Sequence, residues 1–269
     1  MWQARYALAF ALPFRTLKAL FKTLFGKPPP VPAPSQADWR EVLSRPLFDG
    51  LDDAERADLR TLAERLLMGK TLTPAGGAEP RGGDVAAVAA FAALPILGLG
   101  ASWYEGWNEV ILYPAGFIHE GEETDEAGVV HKVRHVRAGE AWQGGPLVLS
   151  LDDVEASGWR EGYNVVIHEF AHKLDMNNGA VDGLPALHGE LTALEWSSAF
   201  KPAYKDFCRH VDADEDTEID PYASESPAEF FAVLSEYFFE APDVLIAHYP
   251  AVYEQMRRFY RQNPMERLG

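Results

Sequence analysis

The chain has 269 residues, 47% of them hydrophobic, which is enough for a sizeable buried core in one or two average domains. A formal net charge of -17 and a sequence pI near 4.8 argue against nucleic acid as a direct partner, which needs clustered Lys and Arg, and favour solubility. A single cysteine, Cys208, excludes an intrachain disulfide framework and fits a reducing, cytoplasmic compartment, with its thiol expected to be buried and inert.

Residues 1–26 are apolar with interspersed Arg5, Arg15, Lys18 and Lys22. These charges follow the longest apolar stretch, 6–14, whereas a secretory signal places them before it, and the stretch is shorter than the roughly 20 residues a bilayer span takes. A basic amphipathic helix touching a membrane is one reading; a helix packed on its own domain, or a mobile arm, is preferred. Pro28-Pro29-Pro30 with Pro32 and Pro34 predicts a stiff polyproline-like linker, so residues 1–37 stand apart from a single domain over 38–269.

From 39 to 68 the spacing of Leu43, Leu47, Leu51, Leu59, Leu62, Leu66 and Leu67 predicts a helical hairpin, broken around Pro46 and Asp49-Gly50. A Gly/Pro-rich turn over 73–83 and an Ala-rich helix over 84–94 complete an amino-terminal helical subdomain of about 38–100. Short β-branched or leucine-rich runs at 109–113 and 146–151 predict strands; between them lie an acidic loop from Glu120 to Glu126 and a further strand at 128–136. Helices are expected at 164–176, 191–210, 226–239 and 242–263. A small mixed sheet beside a mainly helical chain is an α+β class.

His168-Glu169-Phe170-Ala171-His172 contains the H-E-x-x-H pattern. Ile167, Phe170, Ala171 and Leu174 form an apolar helical stripe, while His168, His172 and Asp175 share a second stripe, so both imidazoles can point at one ion. Asn164 suits the N-cap and Asn177-Asn178-Gly179 the stop. Zinc takes neutral imidazole nitrogen and tolerates three protein ligands plus an exchangeable water, and Glu169, next to the first ligand, is placed to act as general base on that water. A third ligand is needed, and His188 lies too far on for the short metzincin spacing. Glu229 offers two readings: a capping-box partner of Ser226, or a carboxylate in an apolar helix awaiting a cation. Glu236, two turns along the same face, could play either part.

The blocks 62–67, 109–114, 145–150, 167–175 and 227–239 together resemble the Mlc titration factor A (MtfA) family, bacterial gluzincin-type zinc metallopeptidases, over nearly all the chain from Trp39 onward. The resemblance implies a zincin-like fold and a Zn2+ ion on His168, His172 and Glu229. It also implies a weak aminopeptidase-like activity on peptide substrates and sequestration of a glucose-responsive, Mlc-like transcriptional repressor of sugar uptake. The chain is similar as well to the catalytic domain of anthrax lethal factor, where a tyrosine seven residues before the ligand glutamate assists catalysis; Tyr222 stands at that spacing and is expected to donate to the oxyanion. Asp175 and Glu236 are candidate acceptors for a ligand imidazole N–H, which would fix its tautomer. His131 matches a family position where a histidine can also reach the zinc, which would displace the water and leave the site self-inhibited; a surface histidine is the alternative. The strand at 146–151 is expected to be the edge on which an extended peptide pairs. A regulatory binding protein with a structural or self-inhibited zinc site is the competing hypothesis.

Overall fold

The computed structural model describes residues 30–124, 130–137 and 139–268, with the side chains of 117–138 and of 268 left out. The apolar segment 1–26 therefore lies outside the described residues, as does the side chain of His131. Helix α1 (Gln36–Leu43) and helix α2 (Asp53–Gly69) each begin with a full capping box, Ser35 with Asp38 and Asp52 with Glu55, which satisfies two orphan N–H groups per helix. The hairpin expected here takes a different form. Both helices dock chiefly on the Ala-rich helix α3 (Gly82–Ala93) rather than along each other, because its alanines let two backbones approach it at once.

A four-stranded mixed sheet follows, in the order β1 (Thr71–Pro74), β2 (Glu109–Tyr113), β6 (Leu147–Ser150), β5 (Gly139–Ala141). The first three strands run parallel and β5 antiparallel to them. The strand expected to lie at the edge is thus an inner one: β6 is covered on one side by β2 and on the other by the three-residue β5, which is the edge nearest the site. A buried parallel strand reads as an unbroken apolar run, and all four residues of β6 are buried. The expected acidic loop is also corrected, because β3 (Phe117–Thr124) pairs with β4 (Val130–Arg137) in a two-stranded antiparallel ribbon that takes in Glu120 and Glu122.

A short helix α4 (Leu151–Ala156) leaves β6, and the chain then enters α5 (Val165–Asp175), α6 (Ala193–Asp212) and α7 (Pro227–Glu240). The helix expected over 242–263 is two, α8 (Pro242–His248) and α9 (Pro250–Tyr260), because Pro250 can start a helix but not continue one and Tyr249 before it leaves helical dihedrals, at φ -135°, ψ 64°. Helix α5 packs between α7 on one side and β5 on the other. Its apolar stripe is buried as the periodicity requires: Ile167, Ala171 and Leu174 are fully enclosed and Phe170 nearly so, which contributes about 1.5–3 kcal/mol for each large side chain. Among the described residues no helix is long and apolar enough to cross a membrane.

Candidate metal centre

Helix α5 starts where the sequence asks it to, with the Asn164 side chain accepting the N–H of Ile167 at 3.0 Å. His168 and His172 follow one turn apart, their rings 4.9 Å between centroids and nearly perpendicular. Helix α7 supplies the carboxylate from more than fifty residues away: Glu229 Oε2 lies 3.0 Å from His168 Nε2 and 3.2 Å from His172 Nε2. The capping alternative for Glu229 is only half taken up. Its backbone N–H is capped by Ser226 Oγ at 3.1 Å, but its carboxylate faces the histidines.

The three donor atoms lie within 4.8 Å of one another, and they are the one such group of His, Cys, Asp and Glu among the described residues. Four ligands at 2.0–2.1 Å in a tetrahedron sit roughly 3.3–3.4 Å apart, and the two nitrogen-to-oxygen distances of 3.0 and 3.2 Å fall short of that by only a few tenths of an ångström. Charge gives the same answer. Buried Glu169, Glu236 and the largely enclosed Glu229 crowd two imidazoles, an arrangement that is costly without a cation. Burial by itself would lower His168 and raise Glu229. The hydrogen bonds between them win, lifting His168 well above its ordinary value and holding Glu229 far below the usual carboxylate range.

Glu236 stands behind His168: its Oε1 lies 2.8 Å from Nδ1, and its Oε2 accepts the backbone N–H of Asn164 at 2.5 Å. Asp175 makes no comparable bond. Its Oδ2 accepts from the Gly183 N–H at 2.9 Å, while its Oδ1 and His172 Nδ1 are both buried without a hydrogen-bond partner. Burial pushes Asp175 up to about 6. Tyr222 sits on a 3-10 turn (Pro221–Ser224) anchored by Asp220 accepting the Tyr222 N–H and by Tyr204 Oη donating to Ser224 O, each at 2.9 Å. Its ring centroid is 6.1 Å from that of His168, and it is 42% exposed.

A model described as a glucose-regulated metallo-peptidase, M90, matches residues 30–261 of the chain. The chain belongs to the M90 metallopeptidase family, that of the Mlc titration factor A proteins. It is 40% identical to "Mlc titration factor A" of Escherichia coli (strain 55989 / EAEC) over 233 residues, 86% of this chain and 88% of that protein. The protein of the same name from Serratia proteamaculans (strain 568) is 39% identical over 239 residues, covering 88% and 91%. That of Shigella sonnei (strain Ss046) is 40% identical, covering 86% and 88%.

Two residues of this M90 chain that sequence reasoning passed over support the site. Glu240, one turn beyond Glu236, accepts from Asn164 Nδ2 at 2.8 Å, Gly158 N at 2.9 Å and Arg160 N at 2.7 Å, tying the entry of α5 to α7. Burial pushes it up to about 7 against those three bonds. Its signal was an acid in a run of aromatics, in helical phase with Glu229 and Glu236. Lys173, buried directly after His172, donates to Trp142 O at 2.6 Å and Gly145 O at 3.0 Å, so the same helix holds the turn between β5 and β6. Lys173 and Lys70 approach the Trp107 ring to 4.8 and 3.9 Å, and burial lowers each to about 8.

Proposed function

We propose that the chain is a zinc-dependent peptidase of gluzincin type, and the observation that carries this is the convergence of His168 Nε2, His172 Nε2 and Glu229 Oε2 beside buried Glu169. These three side chains would hold the metal. A bound zinc ion supplies Lewis-acid polarisation of the scissile carbonyl and brings the pKa of water down to around 7. Glu169 takes the proton of the attacking water and hands it to the departing amine. The Tyr222 hydroxyl donates to the oxyanion of the tetrahedral intermediate. Glu236 accepts from His168 Nδ1, which keeps the ring proton off Nε2, where ligation needs a lone pair.

The α5–α7 pair and the sheet edge beside it support a zincin-like domain over 38–269, preceded by the segment and linker of 1–37. The antiparallel edge β5, rather than β6, is where an extended peptide would add by backbone pairing, a mode tolerant of sequence that suits aminopeptidase-like turnover of small substrates. A second role rests on the relatives' name, which speaks of titrating Mlc: binding of an Mlc-like transcriptional repressor in the cytoplasm, either beside catalysis or in place of it if His131 closes the site.

Glu169→Gln tests the enzyme reading, because it preserves the three metal donors and removes the base. Zinc content should stay at one per chain while the peptidase rate falls by about 10²-fold or more. An unchanged rate on a peptide library would sink the mechanism. No turnover by either form, together with repressor capture by both, would favour the binding role alone.

A further inference from the structure

Gly139 opens the edge strand β5 and pairs with Leu149 across the sheet. Its φ lies outside the left-handed region, so its backbone could be adopted by any L residue and does not itself call for glycine. What calls for it is the neighbour. A Cβ built on Gly139 would lie 2.5 Å from Glu169 Cγ and 2.7 Å from its Cδ, and nearer still to Oε1; real Cβ atoms essentially never come within 3.0 Å of a heavy atom. The obstacle is not a freely swinging tip. Cγ is the second atom of the side chain, and Glu169 is only 4% exposed.

Resting on the reading of Glu169 as the general base, we propose that Gly139 is a positioning residue for it: the bare backbone of the edge strand forms one wall of the slot in which the Glu169 carboxylate is held. The strand and helix α5 pack in direct contact, so the side chain is defined from both sides. Positioning of this kind matters because a displacement of about 1 Å in a reacting group can cost 10²-fold in rate. The three heavy atoms nearest an added methyl group at Gly139 all belong to Glu169, so the substitution acts first on the carboxylate in its slot rather than on His168, His172 or Glu229.

Two measurements on Gly139→Ala test this. In the zinc-loaded enzyme kcat should fall at least 10-fold with KM within threefold and one zinc still bound. In the metal-free protein overpacking should lower Tm by about 3–8 °C, and the same substitution made in a Glu169→Ala background, where the slot is empty, should lower it by less than about 2 °C. An equal Tm loss in both backgrounds, or a wild-type kcat, would overturn the proposal. If Gly139→Ala fails to fold, recovery of folding in the double variant supports the slot and continued failure refutes it. The outcomes separate the two ideas: a Glu169→Gln enzyme with full activity defeats the general-base reading, whereas the stability cycle reports on the Gly139–Glu169 slot whatever Glu169 does.

Discussion

Glu236→Gln isolates the carboxylate that joins the candidate metal centre to the start of α5. In the wild type Oε2 accepts the Asn164 N–H and Oε1 faces His168 Nδ1, so both oxygens serve as acceptors. Glutamine offers one oxygen and one NH2 group. If the oxygen stays on Asn164, the amide must donate to His168 Nδ1, which sends the ring proton to Nε2 and removes the lone pair that binds metal. If the oxygen turns to His168, two N–H groups face each other and a buried backbone donor is orphaned, at a cost of about 1–3 kcal/mol. The first route should weaken zinc affinity by about 10–100-fold, equivalent to about 1.4–2.7 kcal/mol, whereas the second keeps the tautomer and lowers the stability of the fold instead. Competition with a chromogenic chelator measures the affinity, and urea unfolding of the metal-free chain measures the stability. Affinity within threefold of wild type together with an unchanged urea midpoint would show that the bridge contributes nothing.

Tyr222→Phe removes only the hydroxyl; kcat should drop by about 10–10³-fold, and an unaltered kcat on a small peptide would remove Tyr222 from the mechanism. Glu240 gives a pH dependence of stability. Its folded value is raised from 4.5 to about 7 by burial, so the folded state holds a proton the unfolded state has released between these limits. The contribution of Glu240 is therefore full below about 4.5 and lost as pH rises through about 7, by about 3 kcal/mol in all. Urea unfolding of wild type and Glu240→Gln at pH 5 and pH 8 should show their difference shifting in that direction; a pH-independent difference refutes it. Lys173→Met should destabilise by about 1–3 kcal/mol and speed amide exchange at 139–147, because Gly145 O loses its Lys173 donor and Trp142 O keeps only the Gly145 N–H; unchanged exchange there would separate the turn from the helix.

The parts of this molecule legible in the sequence are those that local pattern decides. The Asn164 cap, the apolar stripe of Ile167, Phe170, Ala171 and Leu174, and the one-turn spacing of the two histidines are all contained within α5. Glu229 could be nominated by its apolar surroundings, but not chosen over its capping role, since its partners are 57 and 61 residues away. Strand order is less accessible still. An apolar run such as 147–150 says that a strand is buried, not which strand lies beside it, and β5 is too short at Gly139–Ala141 to have a period. The acids of 120–123 look like a loop because nothing local shows that residues 130–137 will pair with them. Gly139 escaped notice for the same reason: the space it leaves empty belongs to a side chain thirty residues later.

The three-residue edge strand also bears on how the protein behaves at high concentration. A strand edge open enough to accept an extended peptide is equally a template for another copy of the same chain, the usual beginning of edge-to-edge aggregation. Here the hazard is limited by length and composition: Gly139-Glu140-Ala141 offers few backbone bonds, a charge at its centre and small residues at both ends. A peptide that brings its own side-chain contacts can still bind such an edge for a moment, while two copies of the edge have little to hold them together. The brevity that hid this strand in the sequence thus favours transient pairing over permanent association.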